Sequence, residues 1–347
     1  MTTPSNTARR NVEPVQFSIV VNNYNYARYL PEALDNALSQ MRARDELIVV
    51  DDGSTDDSMQ LLRQYEHEHG VRVFQQENSG QMRTVRTGMR VARGDVIVLL
   101  DSDDYFLEGY LDRLRAIYAQ HPDVSFTFSR AQLSGDAEKA RKSMQTMLNR
   151  LQLPAGKVGP TKWAALLFNE FVGVPTSGIS LHRSLAEQIN ALPSTTELTT
   201  VISPLVSKVL GISTTEQKKS GYTADGVIVR CASILGAIKY YDDHPGFMYR
   251  IHGANKYANA SRLARVHLLR LRKKQFVKMV REHYSIVERP TAVELREEIL
   301  SRVFGVHLRR RIAIRGRYCR AILSSEGSLR EKISALTAAL GLQRRIT

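Results

Sequence analysis

Short apolar runs, each ending in polar or acidic residues, set the pattern of the first hundred positions. Phe17-Ser18-Ile19-Val20-Val21 runs into Asn22-Asn23-Tyr24-Asn25-Tyr26, and Leu47-Ile48-Val49-Val50 into Asp51-Asp52. Val71-Arg72-Val73-Phe74 leads to Asn78-Ser79-Gly80-Gln81, and Val96-Ile97-Val98-Leu99-Leu100 ends in Asp101-Ser102-Asp103-Asp104. Runs this short, apolar and bounded by charge or turn residues predict strands buried on both faces. The intervening periodicity predicts helices from about Leu30 to Met41, from a capping-box stretch at Ser54-Thr55-Asp56-Asp57 to Gly70, and over 82–93. The resulting β-α-β-α-β-α-β order predicts a parallel sheet with its polar strand ends along one edge. Ligands bind outside the carboxyl ends of such strands, so acids placed there are positioned for chemistry. An aspartate in a strand-to-helix turn also reads as a plain helix cap, and Asp104 is the member that reads so best.

The second half is less regular. Residues 131–157 are polar and helix-prone, broken at Pro154-Ala155-Gly156, and predict a connector over the sheet. Trp163, within Trp-Ala-Ala-Leu-Leu-Phe, predicts a core side chain more than a sugar platform. Val174 to Arg183 combines a small-residue turn with a strand, where a ligand can approach the backbone closely. Asp225 opens an apolar helix, a position suited to a helix cap and to a held catalytic carboxylate. From about Ala260 to Tyr284 basic and apolar residues interleave as one long helix, Pro290 interrupts, and helices follow over 292–321, with Gly316 a candidate break, and 328–340.

Composition narrows the class. The 347 residues with 43% hydrophobic content suffice for a full core and one or two domains. Two distant cysteines, Cys231 and Cys319, indicate neither a disulfide framework nor a zinc site and fit a reducing, cytosolic setting. Met1 to Glu13 is polar, and no run approaches the ~18 apolar residues of a membrane span. The formal charge of +14 is lopsided: from Ser261 onward 21 Lys plus Arg face 7 Asp plus Glu, which accounts for all of it. That quarter reads first as an interaction or dimerisation arm and second as a membrane-surface contact. Nucleic acid ranks last, because no binding module or aromatic interleaving accompanies the charge.

The first strand-to-helix turn carries Asn-Asn-Tyr-Asn where a dinucleotide-binding fold would carry Gly-x-Gly-x-x-Gly, which argues against a nicotinamide dehydrogenase. No glycine-rich, lysine-bearing phosphate loop supports a nucleotidyltransferase either. Two acidic strand ends suggest one carboxylate pair for a base or ribose and another for a metal-held diphosphate.

In their order over about residues 17–105, Ile19 to Tyr26, Leu47 to Asp56, Asn78 to Gln81 and Val98 to Asp104 resemble the nucleotide-sugar-binding half of family 2 inverting glycosyltransferases. The resemblance implies an α/β GT-A fold: a Rossmann-like, mostly parallel central sheet flanked by helices, extended here by a basic helical C-terminal region. The chain then divides into a flexible N-terminus (1–14), a nucleotide-sugar-binding part (15–130), an acceptor-binding and catalytic part (131–258) and the basic helical part (259–347). By the same resemblance Asn23, Tyr24, Asn25 and Asn78 belong to the nucleotide site, Asp51 or Asp52 bonds the base, and Asp101 the ribose. Asp103 would hold the metal, Mg²⁺ or Mn²⁺; His252 would complete its coordination or hydrogen-bond the leaving phosphate; and Asp225 would be the catalytic base. Arg86 stands where the pattern usually has a small residue or Asn; its guanidinium suits the diphosphate, while Arg83 and Arg90 read as a solvated face. Tyr249-Arg250-Ile251-His252-Gly253-Ala254-Asn255 resembles the element closing the catalytic domain, with Arg250 neutralising the leaving phosphate. The implied function is inverting transfer from a nucleoside-diphosphate sugar, a UDP-sugar in the first instance, to a glycan or lipid-linked hydroxyl. Such an enzyme would be cytoplasmic and could sit at the inner face of a membrane. The competing reading is a non-catalytic nucleotide-sugar-binding scaffold with a basic interaction arm.

Overall fold

The computed structural model describes residues 15–135, 153, 155–168, 173, 175–193, 223–252, 275–286, 288–301 and 312–340. The expected flexible N-terminus, most of the 131–157 connector, residues 253–255 and the 260–274 part of the long basic helix lie outside the described residues.

Strands β1 (Phe17–Asn23), β2 (Glu46–Asp51), β3 (Arg72–Gln75) and β4 (Val96–Asp101) pair in parallel in the spatial order β3-β2-β1-β4. Helices α1 (Leu30–Gln40), α2 (Ser58–His69) and α3 (Gln81–Val91) connect them. Beyond β4 come β5 (Tyr105–Phe106), α4 (Tyr110–Gln120), β6 (Phe126–Ser134), β7 (Gly156–Lys157) and β8 (Ile179–His182). Helices α5 (Arg183–Asn190) and α6 (Ala224–Ile234) then precede the long strand β9 (Lys239–Arg250). The sheet continues from β4 as β8-β6-β9-β5, with β7 on β9; β6 and β9 pair in parallel and the other added pairs are antiparallel. The result is one mixed sheet in which most paired residues run parallel.

Alternation along the strands divides the interior into two cores, because successive side chains point to opposite faces. Val20, Ile48, Val50, Ile97 and Leu99 pack on one face with α3, α5 and α6. Ile19, Val21, Leu47, Val49, Val98 and Leu100 pack on the other with α1, α2 and α4. Gly88 sets how closely α3 lies on β1: a Cβ there would come within 2.2 Å of a Val20 methyl.

The C-terminal helices join the first core. They are α7 (275–283), α8 (Ala292–Leu300), α9 (Ile312–Leu323) and α10 (Leu329–Leu340), contributing Phe276, Val280, Leu295, Tyr318 and Ile322. Thr291 and Glu294 form a capping box that starts α8. Trp163 is buried in the same core, just before a π-helical turn at Ala164–Phe168. Glu298 of α8, fully buried, accepts hydrogen bonds from the Trp163 backbone (2.9 Å), the Ala164 backbone and the Tyr318 hydroxyl (2.7 Å). One carboxylate thus ties the C-terminal helices to a turn that packs against α6.

Three local expectations are corrected. Residues 131–134 extend strand β6, because pairing along β9 satisfies their backbone despite the polar side chains. Helix α9 runs through Gly316 unbroken, its Tyr318 and Ile322 anchored in the core. Ser54 does not cap α2: its hydroxyl goes to Asp51, and Asp56 accepts the Ser58 amide at 3.0 Å in its place.

Candidate functional site

Strand register brings the polar ends together. Asn22 lies opposite Asp101 and Asn23 opposite Asp51, so the carboxyl ends of β1, β2 and β4 form one row. Above it opens a cavity of about 310 Å³ lined by Asn22, Asn23, Tyr24, Asp52, Asn78, Asp101, Asp103 and Asp225, among others. The size suits a small organic ligand.

Asp101, Asp103 and Asp104 place carboxylate oxygens within 4.8 Å of one another. Asp101 accepts the Gln81 side-chain amide at 2.8 Å, and its own backbone N–H donates to the Ser177 hydroxyl at 3.1 Å. Ser177 in turn donates to Asp104 at 2.5 Å, and Asp104 also accepts the Arg250 backbone N–H at 2.9 Å. Asp104 is therefore no helix cap; it stitches the turn after β4 to the segment before β8 and to the end of β9. Burial, reinforced by the neighbouring carboxylates, pushes Asp101 up to about 7 and Asp104 well above the usual carboxylate range. His252 Nε2 lies 2.9 Å from an Asp103 oxygen, and its ring stacks on Tyr29. Tyr26 also bonds Asp103, and burial and that carboxylate's charge raise its phenol. Arg250 donates from Nε to the Asp103 carbonyl at 2.9 Å and from Nη2 to Glu32 at 2.7 Å.

Asp225 enters the same cavity from the first turn of α6, two residues after the N-cap Thr223. Its carboxyl accepts from the Thr223 side chain and the Gly226 backbone, while burial raises it above the ordinary aspartate value. Gly226, where a Cβ would come within 2.9 Å of Arg230, gives its carbonyl to that guanidinium.

A family model described as "Glycosyl transferase family 2" matches residues 18–175. An uncharacterised glycosyltransferase of Nostoc sp. is 28% identical over 249 residues, 71% of this chain and 68% of that protein. Residues 18–175 of the chain therefore carry a glycosyl transferase family 2 domain. A second relative, the undecaprenyl-phosphate 4-deoxy-4-formamido-L-arabinose transferase of Pseudomonas fluorescens, is 31% identical over 58% of the chain, which spans 57% of that protein. Among solved structures, the S. aureus TarS 1–349 fragment in complex with UDP-GlcNAc shares the fold with a TM-score of 0.51 and 17% identity, over 92% of this chain and 81% of that one. The fold is that of GT-A proteins, and the chain is a glycosyltransferase.

In this glycosyltransferase the remaining expected site residues are placed as follows. Asp51 is fully buried and accepts from Asn23 Nδ2 (2.8 Å) and from the backbone and hydroxyl of Ser54, so it braces the β1 and β2 ends beneath the cavity. Asp52 lines the cavity, with its oxygens already accepting the Ser79 and Gly80 backbone amides at 2.9 and 2.8 Å. Asn25, in the left-handed region at φ 57°, accepts the Thr55 backbone and holds the loop. Arg86 is not among the residues that line the cavity. It donates to the carbonyls of Asn190 (2.5 Å) and Leu192 (2.6 Å), because α3 turns that side chain toward the end of α5, whose last carbonyls lack helical partners. Arg83 and Arg90 are exposed, as expected.

Sequence reasoning missed Gln81, Tyr26, Thr176 and Ser177. Gln81 ended a quoted motif, yet only the fold shows its amide joining Asp101 to the start of α6, where it accepts the Ala224 backbone N–H at 3.5 Å. The side-chain carbonyls of Asn22 and Asn23 are buried beside the cavity without a hydrogen-bond partner, an unspent pair of acceptors.

Proposed function

We propose that this glycosyltransferase moves the sugar of a UDP-sugar onto a hydroxyl of a glycan or lipid-linked acceptor, with inversion at the anomeric carbon. The observation that carries the reading is the convergence of Asp225 with Asp101 and Asp103 on one cavity from separate elements. Asp225 accepts the proton of the acceptor hydroxyl as its oxygen attacks the anomeric carbon from the face opposite the diphosphate. A raised pKa suits that role, since a base poised nearer neutral pH accepts a proton more readily. Asp101 takes a ribose hydroxyl, and the unspent Asn22 and Asn23 carbonyls offer acceptors to donor groups of the base or ribose.

The donor set fits a hard divalent cation. Three clustered carboxylates, two of them driven toward protonation by burial and by the Asp103 charge, gain from a positive charge. Asp103, with Asp101 and His252 beside it, would hold Mg²⁺ or Mn²⁺, which when bound offsets the charge of the departing diphosphate. Arg250, fixed on the Asp103 carbonyl, adds a cation at the same edge. The TarS fold likeness, with its UDP-GlcNAc, supports a UDP-sugar, and the name of the Pseudomonas relative supports a lipid-linked acceptor.

The test incubates the full chain with a panel of nucleotide sugars, Mg²⁺ or Mn²⁺ and short glycan or lipid-phosphate acceptors, and measures released nucleoside diphosphate. Metal-dependent release of UDP is expected; release of another nucleoside diphosphate alone, or none with any donor bound, contradicts the reading.

A further inference from the structure

Helices α9 and α10 form an antiparallel hairpin: Arg315 donates to the Leu340 carbonyl at 3.5 Å, and Lys332 to the Leu323 carbonyl at 3.3 Å. The second helix of this pair turns small residues inward and most of its large aliphatics outward, Leu336 being partly buried against the core. Ala335, Ala338 and Ala339 face the protein and are buried, whereas Leu329, Ile333 and Leu340 are 75%, 55% and 51% exposed. Separations of four and seven residues align these three along one stripe of the helix. Leu323, ending α9, is 63% exposed. A helix between a core and water normally turns its large aliphatics inward, so an outward stripe of them is a candidate contact surface.

The charge around it selects the partner. Arg317, Arg320 and Arg330 are exposed on the same two helices. Over residues 312–340 there are five Lys plus Arg against two Asp plus Glu, and Glu331 is engaged by Ser328 at the start of α10. We propose that this outer face of the α9–α10 hairpin docks on an anionic lipid surface, its aliphatic side chains entering the interface and its arginines meeting headgroup phosphates. A second copy of the chain fits less well, because it would bring the same positive quarter against its own kind. Among the described residues no helix is long and apolar enough to cross a membrane. The proposal stands on this face alone and is independent of the donor and acceptor assignments.

The test co-sediments the full chain with phosphatidylcholine vesicles, with and without phosphatidylglycerol. Binding is expected to require the anionic lipid and to weaken as salt rises to roughly 0.5 M, where charge attraction is screened. The double variant Leu329→Glu/Ile333→Glu should lose at least about tenfold in partitioning while its thermal unfolding matches wild type. A second pair, Arg317→Glu/Arg320→Glu, leaves the aliphatic stripe intact and should weaken binding to anionic vesicles alone. The proposal is overturned if wild type ignores both vesicle types, if it binds neutral vesicles as strongly as anionic ones, or if the first double variant binds unchanged. It is also overturned if sedimentation velocity without lipid shows a dimer that the first double variant dissociates, since a second copy then covers the face.

Discussion

Replacing Glu298 with Gln probes the junction between the C-terminal helices and the helix that carries Asp225. Burial pushes the Glu298 carboxyl up to about 7 from an ordinary 4.5, outweighing the bonds from Tyr318, Trp163 and Ala164 that pull it down. The folded protein therefore holds this proton more tightly than the unfolded chain does. The corresponding stability is fully present below about pH 4.5 and is lost as pH rises through about 7. At 1.36 kcal/mol per pH unit, that interval corresponds to about 3 kcal/mol, a sizeable part of the roughly 5–15 kcal/mol that holds a domain folded. Glu298→Gln keeps the chain length and one acceptor but cannot ionise. The wild-type stability minus that of the variant should fall by about 3 kcal/mol between pH 4.5 and pH 8. Subtracting the variant cancels the other buried carboxyls, Asp101, Asp104 and Asp225, which titrate in both proteins. Trp163 is the only tryptophan and its own backbone amide bonds Glu298, so its fluorescence in urea titrations reports the junction directly. Parallel stability curves for the two proteins across this pH range refute the reasoning. Glu298→Ala should cost more at every pH, because three buried donors lose their acceptor at about 1–3 kcal/mol each.

Other substitutions separate the parts of the site. Asp103→Ala should abolish the effect of Mn²⁺ on UDP affinity, seen by calorimetry with and without the ion; a variant whose affinity still rises with Mn²⁺ moves the metal elsewhere. Gln81→Ala frees both Asp101 and the start of α6, and should lower kcat about tenfold with little change in KM for the donor. Gln81→Glu keeps the length but sets a second carboxylate against Asp101 at the present 2.8 Å contact, and should lose more than the alanine variant; wild-type rates from it remove Gln81 from the positioning role.

The strand pattern was legible because a parallel strand buried on both faces leaves an apolar run that few other structures produce. For the same reason the acids at the ends of β2 and β4 could be assigned to one edge from the chain alone. What each acid does there was not legible. Asp51 and Asp52 are neighbours in sequence, yet alternation sends Asp51 beneath the cavity to Asn23 and Ser54, and Asp52 to the loop amides of Ser79 and Gly80. Arg86 had the charge for a diphosphate, but its direction depends on where α5 ends, a contact across more than a hundred residues. Asp104 resembled a cap because its partners, Ser177 and Arg250, lie far along the chain. Asp225 was singled out by an acid opening an apolar helix together with the family resemblance, and the start of α6 lies on the cavity that Asp101 and Asp103 also line.

The most direct test of the central claim is the turnover of Asp225→Asn. The amide nearly preserves shape and can keep the bond from Thr223, but it cannot take a proton from an acceptor hydroxyl. With a general base contributing typically about 10²–10⁴-fold, kcat should fall by that factor while the Kd for the UDP-sugar and the thermal midpoint stay at wild-type values. Wild-type kcat in the Asp225→Asn protein, with donor binding intact, contradicts the account and sends the search for the base to another residue of the cavity.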